Sequence, residues 1–281
     1  MRSDVRSKRS AEQSYDPDRL DGGFDAELER LRAQVDMCWK VERRRLTALG
    51  VMDGNRLLEL GCGPGFVTER LASAFPHATI VAIDTDQRML DAAARNTAHV
   101  DAHRVRFVRA DVTATGLDAD SFDGAISRYL FQHLSNPVAA AIETLRVLKP
   151  GGHHVVIDID DGLWGLVEPE FPFFRDYHQR RAQDQTSRGG SRFLGRRLGR
   201  ILRAAGYVHI ELDVFAYHSD DVGLEAFVRQ IAPEQFLPLV QHGTLSLEEY
   251  LRAVATTQWF LASNEPFLMM TGFMARGEKP Q

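Results

Sequence analysis

The chain has 281 residues, 44% of them hydrophobic and 26% charged, with a net charge of −5. That is enough apolar material for one sizeable core in one or two domains, and the acidic balance argues against a general nucleic-acid footprint. No apolar run approaches the roughly 18 residues of a membrane span, and two cysteines, Cys38 and Cys62, are too few for a disulfide framework. The charged start, Met1-Arg2-Ser3-Asp4, lacks a signal-peptide core, so a cytoplasmic location is expected. Residues 1–14 are polar and basic and read as a disordered tail rather than a nucleic-acid arm.

A helix is predicted from Asp25 to Leu49, with Leu28, Leu31, Val35, Cys38 and Trp39 spaced for one face. Arg43, Arg44 and Arg45 sit near its C-terminal end, where cations oppose the helix dipole. The next stretch organises the chain. Leu57-Leu58-Glu59-Leu60 feeds into Gly61-Cys62-Gly63-Pro64-Gly65, and an apolar-faced helix (Val67, Leu71, Ala74, Phe75) follows. This reads as buried strand, tight turn, helix. Glycines permit the turn and let a ligand lie against bare backbone, with helix N-terminal amides facing it. A dinucleotide loop of the G-x-G-x-x-G type would place its third glycine at position 66, which is Phe66.

A second buried strand, Thr79 to Asp84, ends in a carboxylate able to chelate the two hydroxyls of a ribose. Asp86 suits the cap of helix 86–96 better than Asp84 does. A third strand, Val105 to Ala110, leads to Asp111-Val112, placed for a base edge. Strand 123–128, helix 137–148 and strand 153–160 follow. Asn136-Pro137 starts that helix and Lys149-Pro150-Gly151-Gly152 stops it, so these last glycines read as structural. The alternation predicts an α/β fold, a doubly wound sheet covered by helices on both faces.

Five blocks, in order, carry a resemblance: LLELGCGPG (57–65), VAID (81–84), RADV (109–112), FDGAISRYLFQHL (122–134) and LKPGG (148–152). On these blocks the sequence resembles the class I S-adenosylmethionine (SAM) dependent methyltransferases, in the branch that holds quinone-biosynthesis and natural-product enzymes. The resemblance implies a mostly parallel seven-stranded sheet and methyl transfer to an O, N or C nucleophile of a small molecule. It implies that Gly61, Gly63 and Gly65 wrap the methionine end of SAM, with Glu59 organising its ammonium. Asp84 then holds the ribose, Asp111 and Val112 the adenine edge, and Thr85 and Met89 border the base. The Arg128 backbone carbonyl faces the ammonium, and Tyr15 and Gln34, before the loop, are candidate contacts folded over the cofactor. Nucleic-acid amino methyltransferases end the fourth strand in N/D-P-P-Y/F; here the residues are Ser127-Arg128-Tyr129-Leu130, which counts against that substrate class.

His133, after the fourth strand, is the candidate general base; the alternative is a loop histidine bonded to nearby backbone. The other histidines show no metal spacing and neither cysteine has a C-x-x-C partner, so no metal is assigned. Asp158, Asp160 and Asp161 crowd the end of the fifth strand, where they could hold a cationic amine or divalent ion, or simply face solvent.

After Asp161 the pattern changes. Helix 191–205, strand 207–217 and strand 267–275 are predicted; the resemblance implies that the two strands pair antiparallel, here around a largely helical insert. Ser246 and Glu249 have capping-box spacing, and Leu247, Tyr250, Leu251, Val254 and Leu261 mark an apolar face. Residues 15–281 are thus read as one domain with lid insertions at 162–190 and 218–266. Their aromatic residues (Trp164, Phe171, Phe173, Phe174, Phe227, Phe236, Trp259) are expected to line a largely apolar acceptor cavity. Two rivals stand beside this reading: a SAM-fold protein that does not transfer methyl (a cyclase or binding partner), and a NAD-linked oxidoreductase, which Phe66 disfavours.

Overall fold

The structure, a computed structural model, describes residues 14–18, 23–170 and 174–281. Positions 1–13 of the expected tail, and Phe171 and Phe173 of the expected cavity lining, lie outside the described residues. Ser14, assigned to the tail, is instead buried, and its amide donates to the His133 carbonyl at 3.0 Å.

The chain opens on helix α1 (Gly23–Ala48) and then alternates: β1 (Arg56–Leu60), α2 (Phe66–Ala74), β2 (Thr79–Asp84), α3 (Gln87–Asn96), β3 (Val105–Arg109). Strand β4 (Phe122–Arg128) follows directly, then α4 (Pro137–Val147) and β5 (Leu148–Asp158). The β-branched and leucine-rich strands pair in parallel in the order β3-β2-β1-β4-β5, as the strand–helix alternation requires. Asn136 caps α4 by accepting from the Ala139 amide, with Pro137 in the first turn.

Two departures from the expected topology follow. The sheet has eight strands, because β6 (Gly165–Glu168) forms inside the segment read as lid. It is only four residues long, too short for period-2 alternation to stand out. After α5 (Phe174–Ser187) and α6 (Leu198–Ala204) comes β7 (Val208–His218). Then α7 (Ser219–Val222), α8 (Leu224–Ile231), α9 (Leu237–Gln241) and α10 (Leu247–Leu261) precede the last strand, β8 (Phe267–Glu278). Strand β8 pairs antiparallel with β5 and β6 along one flank and with β7 along the other. The expected antiparallel pair of late strands is therefore present, with four helices between its members. The second departure is α6, which begins seven residues later than predicted, after a short 3-10 turn at Gly195–Arg197.

Helices cover both faces. One core takes α1, α2, α3 and the inward residues Leu57, Ile80 and Ala82; the other takes α4, α6 and the alternate residues Leu58, Val81 and Ile83. The Ser246 capping box is present. The buried side of α10, however, is Ala253, Thr257 and Phe260, while Leu247 and Leu251 are exposed. The apolar count on this helix exceeds what one face can bury, so periodicity alone chose the wrong stripe. Among the described residues no helix is long and apolar enough to cross a membrane.

Candidate functional site

One cavity of about 1210 Å³ lies over the ends of β1, β2, β3 and β4. This is the place where an open parallel sheet presents its turns. Of the residues singled out from sequence, Tyr15, Gln34, Glu59, Gly61, Gly63, Asp84, Thr85, Asp111, Val112, Arg128 and His133 line it. Gly65 and Met89 do not.

The three loop glycines all have left-handed φ, 66°, 51° and 75° at Gly61, Gly63 and Gly65, but they serve different ends. A Cβ on Gly65 would come within 2.7 Å of Ala93 Cβ on α3, so this glycine lets α2 and α3 pack closely. A Cβ on Gly61 would lie 2.8 Å from the flexible Leu130 side chain. Around Gly63 nothing lies within 4 Å, so its bare backbone faces the cavity directly. Met89 is buried in α3, below the cavity wall.

Three carboxylates stand at the strand ends. Asp84 Oδ2 accepts from the Gly63 amide at 2.9 Å, and its Oδ1 accepts from the Asp86 amide at 2.9 Å. It thereby locks the glycine turn to β2, while burial pushes its carboxyl above the ordinary range. A carboxylate has about four lone-pair sites, so Asp84 retains acceptor capacity for a ligand hydroxyl. Asp86 caps α3 through the Arg88 amide, as expected. Asp111 turns its Oδ1 onto the Thr113 amide and hydroxyl at 2.8 and 2.7 Å, an Asx turn that fixes the side chain at the cavity rim. Glu59 is fully enclosed; it accepts from Thr68 Oγ1 at 2.6 Å, and burial pushes its pKa up to about 8.

Other groups were not legible in the sequence. The Arg128 side chain is buried against Glu42 of α1 at 2.8 Å and stacks over the Tyr129 ring at 4.2 Å. Tyr129 itself has φ of 52°, a left-handed conformation that an aromatic residue rarely adopts. Tyr129 and Tyr217 both line the cavity. Tyr15 donates to Glu27 Oε1 at 2.7 Å and packs its ring 5.2 Å from that of His133. The Nδ1 of His133 lies 3.1 Å from Ser14 Oγ and 3.4 Å from Gln185 Nε2. Burial, then the guanidinium charges of Arg192, Arg188, Arg30 and Arg181, push its pKa down to about 3, so it stays neutral.

The carboxylate cluster at the end of β5 is not open for a cation. Asp158 is buried, accepts from the Gln132 and Ile159 amides, and has a pKa pushed up to about 7 by burial. Arg196 grips Asp160, and Arg192 grips Asp161 with its Nε at 2.5 Å. No group of three or more potential metal ligands occurs among the described residues. The aromatic expectation also changes. Trp164 lines the cavity, but Phe174 and Phe227 are buried in the core that joins α1, α2 and one face of the sheet, Phe236 is buried in a small cluster with Tyr177, Leu239 and Leu245, and Trp259 is exposed. The insert packs down onto the sheet core, and that contact takes up most of the aromatic surface expected for a cavity.

A parallel sheet with a glycine turn after its first strand and acids closing the next two strands defines a Rossmann-like, nucleotide-type ligand site. Residues 58–156 match the family model described as "Methyltransferase domain". The chain is 34% identical over 158 residues to a demethylmenaquinone methyltransferase of Clavibacter sepedonicus, covering 56% of this chain and 62% of that one. Its fold is similar to that of a phosphoethanolamine N-methyltransferase of Haemonchus contortus solved with S-adenosylhomocysteine. That likeness has TM-score 0.57 and 22% identity, covering 86% of this chain and 53% of the other. It is also similar to the [4+2]-cyclase SpnF, with TM-score 0.51, 25% identity and coverage of 84% and 81%. Residues 58–156 thus carry a methyltransferase domain, and most of the chain shares its fold with SAM-type methyltransferases. It spans about half to three fifths of the length of the curated relatives it matches.

Proposed function

We propose that the protein binds SAM across the glycine turn and transfers its methyl group to a small-molecule acceptor. The observation that carries this reading is the open backbone at Gly63, tied to Asp84 and flanked by Glu59, over a cavity with room for a cofactor and a second molecule. The residues present suit the cofactor. Gly63 leaves space where any side chain would intrude, Asp84 retains acceptor sites for the ribose, and Glu59 offers a carboxylate to the ammonium. Asp111 and Val112 suit the adenine edge, with Thr85 beside it. Gly65 and Met89 act behind this wall by packing.

SAM, when bound, supplies an activated methyl on a sulfonium. The chain's own task is then alignment and exclusion of water, an effect that can lower a barrier by roughly 7–11 kcal/mol. Segments 162–190 and 218–266 act as a lid over the strand ends. A neutral His133 can accept a hydrogen bond from the acceptor through Nε2 if Nδ1 donates to Ser14 Oγ, and can donate one through Nε2 in the opposite tautomer; burial and the surrounding guanidiniums disfavour the protonated imidazole that a general base passes through. The quinone and natural-product branch named by the resemblance, and a cytoplasmic setting, remain part of this proposal.

The deciding experiment is transfer of label from methyl-labelled SAM into metabolite pools, read by mass spectrometry. A labelled product that is lost in Asp84→Ala supports the reading. SAM binding without label transfer would instead favour a non-methylating role, which a cyclase of this fold makes concrete. Tight NADH binding would revive the oxidoreductase.

A further inference from the structure

The helical insert brings to the cavity two amide groups that the cofactor does not use. Helix α8 buries Phe227, Gln230 and Ile231, spaced i, i+3 and i+4 on one stripe. Phe227 and Ile231 belong to the core, where Phe227 stacks on the Tyr217 ring with centroids 6.0 Å apart. Gln230 stands on the same stripe, is 7% exposed and lines the cavity, and its Nε2 is buried with no hydrogen-bond partner among the described residues. Gln235 lies in the 3-10 turn Pro233–Phe236 that follows. Its Nε2 donates to the carbonyl of Arg229, the residue before Gln230, which fixes the orientation of the carboxamide. Its Oε1 is then left buried and unpaired among the described residues, and Gln235 too lines the cavity. Buried polar atoms are nearly always paired, because leaving water without a replacement bond costs free energy. One unused donor and one unused acceptor thus stand on two side chains joined through the Arg229 peptide.

We propose that the acceptor is an uncharged molecule carrying a hydroxyl on an apolar body, and that Gln230 and Gln235 bind this hydroxyl. A hydroxyl both accepts and donates, so it takes the Gln230 Nε2–H and gives its own proton to Gln235 Oε1. A carboxylate only accepts and an ammonium only donates, so neither satisfies both amides. The surrounding surface has the same character. Every residue that lines the cavity from β7 to the end of the chain is uncharged, and Tyr217, Leu239 and Met270 among them, with Trp164, offer apolar surface to the body of the ligand. Both amide atoms are shielded from water in the ligand-free protein, so small side-chain rotations accompany binding. The inference rests on the methyl-transfer reading for the word acceptor; the hydroxyl site itself stands on the two amides.

The test is a saturation-transfer NMR titration at pH 7 of the full chain, loaded with S-adenosylhomocysteine, with 1-naphthol, naphthalene and 1-naphthoate as probes. The three share one ring body and carry a hydroxyl, no substituent and a carboxylate. 1-Naphthol is expected to bind saturably, about fivefold or more tighter than either of the others, the scale of one or two net hydrogen bonds. Gln230→Met should erase that preference while naphthalene affinity stays within about twofold, and Gln230→Leu, a second apolar replacement, should act alike. The same variants give a readout independent of the probes. Nε2 has no partner to lose in the free protein, so the urea midpoint should hold or rise and S-adenosylhomocysteine affinity should stay within about twofold. Absence of saturable 1-naphthol binding, equal or tighter binding of 1-naphthoate, or a hydroxyl preference that survives in both variants overturns the proposal. A urea midpoint lowered in both variants overturns it too, since the amide is then structural. If S-adenosylhomocysteine does not bind, the methyl-transfer reading fails separately, and the same titration of the unloaded chain still decides the hydroxyl site.

Discussion

Glu59 makes the cofactor reading testable through protons. Its carboxyl is enclosed beneath the glycine turn with a pKa pushed up to about 8, so at pH 7 about nine-tenths of it is protonated in the ligand-free protein. An arriving α-ammonium favours the carboxylate, and binding must expel that proton. At pH 6.5 the ionisation costs about 2 kcal/mol, from 1.4 kcal/mol per pH unit. Affinity should therefore rise by up to about tenfold per unit between pH 6 and 7, and level off above about 8. Titrating S-adenosylhomocysteine at pH 7 in two buffers of different ionisation enthalpy should give apparent enthalpies that differ by the release of about 0.9 proton. Glu59→Gln cannot release it and should bind with a buffer-independent enthalpy. The free protein has a linked signature. A carboxyl whose folded pKa lies above its unfolded value is neutral in the fold but ionised in the unfolded chain. Its contribution to stability is therefore lost as pH rises from about 4.5 to about 8, by up to about 1.4 kcal/mol per unit. Glu59→Gln should flatten that slope. A wild-type enthalpy independent of buffer, or an unchanged buffer dependence in Glu59→Gln, would refute both the burial argument and the ammonium contact.

Other variants probe the neighbouring groups. Asp84→Ala removes a two-point ribose contact and an anchor of the Gly63 amide, so SAM affinity should fall by about 1.5–3 kcal/mol by calorimetry; unchanged affinity would sink the assignment. Glu42→Ala leaves the Arg128 guanidinium buried without its carboxylate and should lower stability by about 3–5 kcal/mol in urea unfolding. His133→Ala should lower kcat with little change in KM for SAM, and Ser14→Ala should reproduce part of that loss if Nδ1 donates to Ser14. Full activity with an unchanged pH–rate profile would return His133 to a structural role. Trp164→Ala should weaken acceptor turnover while S-adenosylhomocysteine affinity holds; equal loss of both in a folded variant would break the division between cofactor core and acceptor wall.

Much of the cofactor half was readable residue by residue. The glycine turn, Asp84, the Asp86 cap and the Asn136-Pro137 helix start depend on neighbours within a few positions, and there turn chemistry and capping act locally. So was the parallel sheet covered by helices, since strands and helices alternate through most of this stretch. The tertiary structure decided the rest. That Gly65 serves packing depends on Ala93, 28 positions on, coming to rest against it. That Arg128 meets Glu42, that Ser14 reaches His133, and that Arg192 and Arg196 cover the β5 carboxylates are pairings across 31 to 119 positions. Burial raised the Glu59 carboxyl and depressed His133, and burial is a property of everything packed around a group. Helix α5 lies inside a segment read from the sequence only as a lid insertion. Only the fold shows which face of that helix looks into the cavity and which carboxylates arrive to meet it.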